Sequence, residues 1–496
     1  MATLLSRLRQ VAVANPHRIA MVDGARRTSY DAFFAQAMAC AAALRARGLQ
    51  PGERVAIVLP NRLEAAVTVY GIWLAGGVAV PLNAQARVRD FVPWLRHCDA
   101  RIVVHERGPG DIEDALRAFE GATQSLPLDD NTGYAQASFP QGEEPAPDSL
   151  AMLLYTSGTT GAPKGVMLSH ANLLANAEAV IDYLQLTADD SVLDVLPFYY
   201  AYGASVLHTH LLTGARIVLA PSLAFPHLVA QALKAESITG FCGVPSTYAL
   251  LLEHVPLSEQ AMPSLRYLTQ AGGAMPARLV GRLRDALPHV RLFLMYGQTE
   301  ATSRLTYLPP ELIDERVGSV GRALRDVEIR ICRDDGSWAN PGETGEVCAR
   351  GPNVMLGYWN NSEATAAVLR DGWLHTGDLG HLDAESYLYL DGRRSDMIKT
   401  GAHRVNPADV EEAITELPWV IETAVVGIDD DVLGQVVKAF VVVAQEQPRG
   451  ADRIRAHCRA RLAPYKVPKH VEFIGALPRT ASGKVRRVQL TEAETS

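Results

Sequence analysis

The residues most suited to chemistry lie in Tyr155-Thr156-Ser157-Gly158-Thr159-Thr160-Gly161-Ala162-Pro163-Lys164-Gly165, directly after the apolar run Leu150–Leu154. Three glycines let backbone N–H groups approach an anion closely, four hydroxyls add donors, and Lys164 adds a compact cation. A strand feeding such a turn suits a triphosphate. The grammar differs from the G-x-x-x-x-G-K-[ST] loop of kinases and motor ATPases, because Pro163 precedes Lys164 and Gly165 stands where a Mg²⁺-binding hydroxyl belongs.

The one basic cluster, Lys484-Val485-Arg486-Arg487, is too short for a nucleic-acid surface and suits a phosphate-rich small substrate. His208-Thr209-His210 has metal-ligand spacing but no accompanying ligand cluster, so core or interface histidines are expected. Asp429-Asp430-Asp431 follows an apolar run and reads as a solvated turn.

A chain of 496 residues exceeds one hydrophobic core, so two or three domains are expected. With 48% hydrophobic and 21% charged residues and a formal charge of −8, it has the balance of a globular protein without a nucleic-acid footprint. Six cysteines are scattered without a C-x-x-C pair, which argues against a disulfide framework and against a zinc site. The start, Met1–Arg7, lacks the apolar core of a signal peptide, and no run of ~18 apolar residues suggests a transmembrane helix. A cytoplasmic protein is expected, either monomer or homodimer.

Positioning these groups falls to alternating helices and strands. Tyr30–Arg47 has helical spacing and stops at Gly48; Arg54–Leu59 and Val78–Leu82 read as buried strands around a helix over Asn61–Leu74. Such alternation predicts an α/β fold with parallel sheets wrapped by helices. The stretch from Gly108 to Ser149, rich in Gly, Pro, Asp and Glu, reads as a surface connection. The pattern divides the chain into a large N-terminal domain (1–392), a short boundary (393–396) and a small α+β C-terminal domain (397–496). In the latter, Pro407–Leu417 and Ala451–Leu462 read as helices, and Ile421–Ile428, Val436–Ala444 and His470–Ile474 as strands.

Besides the loop, the chain carries in order Tyr296-Gly297-Gln298-Thr299-Glu300, Thr376-Gly377-Asp378, Gly392-Arg393-Arg394-Ser395-Asp396 and Pro478-Arg479-Thr480-Ala481-Ser482-Gly483-Lys484. In these motifs it resembles, over nearly its whole length, the adenylate-forming superfamily of acyl-CoA synthetases, peptide-synthetase adenylation domains and luciferases. The resemblance implies ATP, Mg²⁺ and coenzyme A, or a carrier-protein phosphopantetheine arm, as cosubstrates and cofactors. It implies that Thr156, Ser157, Gly158, Thr159, Thr160 and Lys164 hold the β- and γ-phosphates, that Thr299 meets the α-phosphate, and that Glu300 holds Mg²⁺. Asp378 and Arg393 are placed at the ribose, Gly272, Gly273 and Ala274 between adenine and acyl pocket, and Tyr296, with Gly297 and Gln298, at the base. Lys484 is implied to bridge the acyl carboxylate and α-phosphate, and Arg404 to meet phosphate. Gly401 is implied to wall the pantetheine tunnel. A hinge is implied at 392–396, although Ser395 stands where family members usually carry Asp or Lys.

The segment Leu196–Ser205 aligns with the acyl-pocket motif. Amino-acid-activating members carry there an aspartate for the substrate ammonium; by register that position is Gly203, which argues against an amino-acid substrate. Tyr200, Gly203, Ala204, Val244, Tyr248 and Ala301 are the expected pocket residues. Their small members favour a medium- or long-chain fatty acid, with an aryl acid second. The rival readings are an acyl-AMP ligase serving an acyl carrier protein in trans, and a silent nucleotide-binding sensor. The first is disfavoured by the absence of the insertion common in long fatty-acyl-AMP ligases, and the second by the presence of Glu300, Asp378, Arg393 and Lys484 together.

Overall fold

The structure is a computed structural model that describes residues 3–119, 121, 123–129, 134, 144–156, 163–260, 262–393, 396–401, 403–430, 433–443, 450–479 and 485–492. Three sheets organise them. A seven-stranded sheet runs Gly357–Tyr358, Lys164–Ser169, Leu150–Thr156, Val78–Pro81, Arg54–Val58, Ala100–Glu106, Gln124–Leu128. Its strands from Leu150–Thr156 to Gln124–Leu128 are parallel, whereas Lys164–Ser169 returns antiparallel along Leu150–Thr156.

In a fourteen-stranded sheet, Ile19–Asp23, Arg216–Leu219, Ser191–Asp194, Gly240–Gly243, Tyr267–Gln270 and Arg291–Tyr296 lie parallel in that spatial order. Beyond Tyr296 the same sheet continues antiparallel through Thr306–Leu308, Ser319–Ala323, Leu388–Arg393 and Trp373–Leu382 to Gly345–Arg350 and Glu328–Cys332. The expected α/β fold of parallel sheets wrapped by helices is present, and this antiparallel half adds to it. Between Thr306 and Arg393 the one α-helix is Ser362–Val368, and links without a crossover helix join strands most readily antiparallel. The stretch after Gly108 is corrected: Asp111–Ala118 is a helix, and Gln124–Leu128 pairs with Ala100–Glu106.

Helix Leu63–Leu74 is apolar on all sides because it is packed on all sides; residues Leu63 through Trp73 are buried. It crosses Tyr30–Ala46 at Gly71, where a Cβ would lie 2.5 Å from Cys40 Sγ. One core joins these helices to His170–Leu184, Ala201–Thr213 and strands of both large sheets. The expected helix bounds Tyr30–Arg47 and Asn61–Leu74 thus shorten slightly, to Tyr30–Ala46 and Leu63–Leu74.

In the small domain the long hairpin Val420–Asp430/Gly434–Val443 carries Pro407–Thr415 and Ala451–Arg461 against one apolar cluster. Leu477 and Leu490 close a second cluster with Ala424 and Phe440. A further hairpin, Ile398–Thr400/His403–Val405, begins the domain. Asp429 and Asp430 end a strand rather than forming a turn, and Asp430 pairs with Lys469 at 2.6 Å; Asp431 lies outside the described residues. Among the described residues no helix is long and apolar enough to cross a membrane.

One buried ion network fixes the start of helix Leu63–Leu74. Glu64 is fully buried, and its carboxylate accepts from Arg26 Nη1 at 2.6 Å and Arg62 Nε at 2.7 Å. Burial pushes its pKa up, but the two guanidinium hydrogen bonds outweigh that and hold it below the usual carboxylate range. Its contribution is therefore present above the ordinary glutamate pKa and lost as pH falls through the lowered one. Glu64→Gln is expected to lower the unfolding free energy by about 1.5–3 kcal/mol, because charge-assisted hydrogen bonds are lost while Arg26 keeps Asp23 and Arg62 keeps Glu106. Denaturant unfolding at neutral pH checks this, and the deficit should shrink in acid.

Candidate active site

The expected site residues emerge from the carboxyl ends of adjacent parallel strands, where open α/β sheets place ligands. Ser191–Asp194 leads to the 196–205 segment, Gly240–Gly243 to Val244 and Tyr248, Tyr267–Gln270 to Gly272–Ala274, and Arg291–Tyr296 to Gly297–Ala301. In the other large sheet, Leu150–Thr156 delivers Thr156, opposite Lys164 across the antiparallel pair. Ser157, Gly158, Thr159 and Thr160, the middle of the expected phosphate loop, lie outside the described residues.

Residues 297–303 form a tight knot. A Cβ on Gly297 would lie 2.1 Å from the Ser303 carbonyl oxygen, so no other residue fits. Thr302 and Ser303 take φ of 59° and 120°, positive values that side-chain-bearing residues seldom adopt. The Thr302 hydroxyl donates to Asn353 O at 2.6 Å, and Asn353 Nδ2 donates to the carbonyls of Ala301 and Arg304. This bracing leaves Gln298, Thr299 and Glu300 partly exposed beyond the carboxyl end of the strand Arg291–Tyr296.

Two clusters result. Tyr358 OH donates to Glu300 Oε1 at 2.8 Å, and Lys164 Nζ sits 5.6 Å from the centre of the same ring. Burial, then the Glu300 charge, pushes the Tyr358 phenol up and keeps it a donor. In the second, Asp378 lies directly opposite Arg393 across neighbouring strands. Its Oδ1 accepts from Arg393 Nε at 2.9 Å and its Oδ2 from Tyr296 OH at 2.6 Å. The Asp378 charge, ahead of the opposing effect of burial, raises the Arg393 pKa; burial and then the same charge raise the Tyr296 phenol well above its usual range. The site is thus built from fixed cations and oriented donors, as charge developing on phosphate oxygens requires.

Gly272 and Gly273 follow their strand in an open turn, with Gly272 at φ 85° and Gln270 Nε2 donating to Gly273 O at 2.7 Å; Ala274 is exposed beside them. Gly401 belongs to the small-domain hairpin, as does the backbone of Arg404, which pairs with Lys399; the Arg404 side chain is outside the described set. Lys484 is also outside it, although Arg479 and Val485 on either side are bridged. In the segment expected to be a hinge, Arg394 and Ser395 lie outside the described residues. Asp396 pairs with Arg487 at 3.4 Å.

The expected acyl pocket changes most. A Cβ on Gly203 would meet the Pro197 carbonyl oxygen at 2.3 Å, so this glycine leaves no spare volume: its space is filled by backbone. Tyr248 is a core residue, 1% exposed, with its hydroxyl donating to Thr269 O at 2.6 Å. Ala301 is fully buried, Val244 is half-buried beside Gly272, and Ala204 borders a narrow internal cavity with Leu154, Ser205 and His208. Tyr200 is half-buried, its ring centre 4.5 Å from that of Tyr199. His208 and His210 are core residues as expected, bonded to Tyr70 OH and Tyr267 OH. Burial pushes their pKa values down to about 3 and about 4.

Sequence reasoning missed Tyr358 and Asn353. Neither sits in a motif, and only the pairing of Gly357–Tyr358 with Lys164–Ser169 brings the ring to Glu300. No local signal marks them.

An α/β nucleotide-binding enzyme with a small appended domain is thereby defined. The family model for AMP-binding enzyme matches residues 8–359, and that for AMP-binding enzyme C-terminal domain matches 409–484. A feruloyl-CoA synthase of Amycolatopsis sp. is 35% identical over 474 residues, covering 95% of each chain. A long-chain-fatty-acid–CoA ligase of Bacillus subtilis is 32% identical over 535 residues, covering 99% of this chain and 95% of that protein. The solved o-succinylbenzoate CoA synthetase of Bacillus subtilis, in complex with its acyl-adenylate intermediate, superposes with a TM-score of 0.87 at 32% identity. That match covers 98% of this chain and 97% of the other. The chain belongs to the AMP-binding enzyme family. It is an AMP-forming acid–thiol ligase of the acyl-CoA synthetase type, working through an acyl-adenylate with ATP, Mg²⁺ and coenzyme A.

Tyr296→Phe removes one of the two donors holding Asp378. A hydrogen bond to a charged group is worth about 1.5–3 kcal/mol, so ATP affinity is expected to fall roughly tenfold or more, read by calorimetric titration of ATP.

Proposed function

We propose that the acid activated here is a compact aromatic carboxylic acid. The observation that carries this reading is the closure at Gly203, where the Pro197 carbonyl oxygen fills the place of a side chain, with Tyr248 and Ala301 packed into the core. A long acyl chain needs a continuous tunnel, whereas a planar ring needs a short slot with flat walls. The half-buried pair Tyr199–Tyr200 supplies aromatic surface at the start of helix Ala201–Thr213. The feruloyl and succinylbenzoate relatives act on acids of this kind. The fatty-acid relative favours the longer substrate first expected from the small residues.

In the first half-reaction a substrate carboxylate oxygen attacks the α-phosphorus, the bond to the β-phosphate oxygen breaks, and pyrophosphate leaves. In the second the thiolate sulfur attacks the acyl carbon and AMP departs. Thr156, Lys164 and the residues between them cradle the β- and γ-phosphates, and Thr299 donates to the α-phosphate. Tyr296, Gly297, Gln298 and the Gly272–Ala274 strip enclose the base. Asp378, oriented by Arg393 and Tyr296, accepts from the ribose. The donor set suits Mg²⁺: Glu300 offers one carboxylate, with Oε1 steadied by Tyr358, and Mg²⁺ takes one or two carboxylates with phosphate oxygens and water. When bound, it neutralises phosphate charge. Lys484 and Arg404 reach the phosphate from the small domain, which turns about 393–396 so that Gly401 then faces the pantetheine arm.

Pyrophosphate release with cinnamic, indolic and benzoic acids should exceed that with medium- and long-chain fatty acids at equal concentration. Faster turnover of the long chains sinks the aromatic reading, and thioester formed only on a carrier protein would replace coenzyme A as acceptor. Lys484→Ala should lose adenylation by roughly 100-fold or more, as loss of a transition-state electrostatic partner does. It should retain thioester formation from supplied acyl-adenylate; equal loss of both steps refutes its assignment.

A further inference from the structure

The strands Glu328–Cys332, Gly345–Arg350 and Trp373–Leu382 lie side by side and antiparallel. Their register sets Cys332 opposite Glu346 and Cys348 opposite His375, so all four side chains project from one face. Cys332 Sγ, Cys348 Sγ and a His375 ring nitrogen all lie within 4.8 Å of one another. Cys348 Sγ is 3.4 Å from His375 Nδ1, and the same nitrogen is 3.0 Å from Glu346 Oε2. With zinc–sulfur and zinc–nitrogen bonds of about 2.3 and 2.0–2.1 Å, a tetrahedral site has a sulfur–nitrogen edge of about 3.5 Å. The Cys348–His375 spacing matches that edge. Cys348 is buried and Cys332 only partly so, which leaves a path of entry.

We propose that Cys332, Cys348 and His375 bind a thiophilic cation of the Zn²⁺ class. Two sulfur donors and an imidazole select such an ion over Mg²⁺, whose ligands are oxygens, so this site is chemically distinct from Glu300. Each thiol gives its proton to solvent on binding; one divalent cation is exchanged for two protons, and the two thiolates balance its charge. The three strands belong to one sheet, so the donors are held before the metal arrives. The spacing along the chain shows none of this, because the cysteines are joined through strand register rather than through a C-x-x-C turn.

The full chain, reduced and freed of metal with a chelator, is titrated with Co²⁺. A thiolate-to-cobalt charge-transfer band in the near ultraviolet should saturate at one equivalent per chain and disappear when Zn²⁺ is added. Cys332→Ala should lose the band and bind Zn²⁺ at least about tenfold more weakly in competition with a chromophoric chelator. Its thermal unfolding in chelator should match the parent, because Cys332 is partly exposed. Cys348→Ser should lose the band likewise. Absence of the band in the parent chain, or an unchanged band in Cys332→Ala, overturns the proposal. So does a disulfide between Cys332 and Cys348 that persists in the chain purified under mild reductant, since that would make the pair a redox couple.

Discussion

A buried carboxylate needs hydrogen-bond donors for both oxygens, and Asp378, a residue with 7% of its surface exposed, has one on each. Its two donors come from separate parts of the chain: Tyr296 ends the last parallel strand of the large sheet, and Arg393 ends the strand that leads toward the small domain. The interaction therefore joins the parallel half of the sheet to its antiparallel half. The motifs that carry Tyr296, Asp378 and Arg393 hold a common geometry because this carboxylate is satisfied by both halves at once. Glu300 is handled in the same way, with Tyr358 borrowed from the neighbouring sheet.

Backbone crowding supplies the second constraint. At Gly297 and Gly203 a carbonyl oxygen occupies the place of a Cβ, and each glycine fixes the course of the segment around it. The sterically costly φ values of Thr302 and Ser303 are held by hydrogen bonds from Asn353 and Thr302. Precision here comes from main-chain packing more than from long polar side chains.

Contiguous features were legible in the sequence. The helices at Tyr30 and Leu63, the strand ahead of the Ser/Thr/Gly loop and the small-domain hairpin all rest on local periodicity and turn residues. The pairing of Asp378 with Arg393 was partly legible, as two motif residues assigned to one ribose. What escaped depends on register or on burial from both sides. Gln124–Leu128 looked like loop because its charged and Gly/Pro-rich surroundings hid a strand that pairs at a sheet edge. Tyr248 looked like pocket because direction of projection is invisible in composition; its ring points into the core instead. Gly203 was read as vacant space for the same reason. Tyr358, Asn353 and the Cys332–Cys348–His375 grouping become neighbours only through strands distant in sequence.

The Pro197 carbonyl beside Gly203 also bears on how such a scaffold diversifies. An anionic side chain introduced there, the shortest mutational path toward amino-acid recognition, collides with main chain before it meets any substrate. That neighbourhood of sequence space is closed unless the whole 196–203 turn is rebuilt in the same step. Change in this segment must then begin with the course of the main chain rather than with the exchange of one side chain.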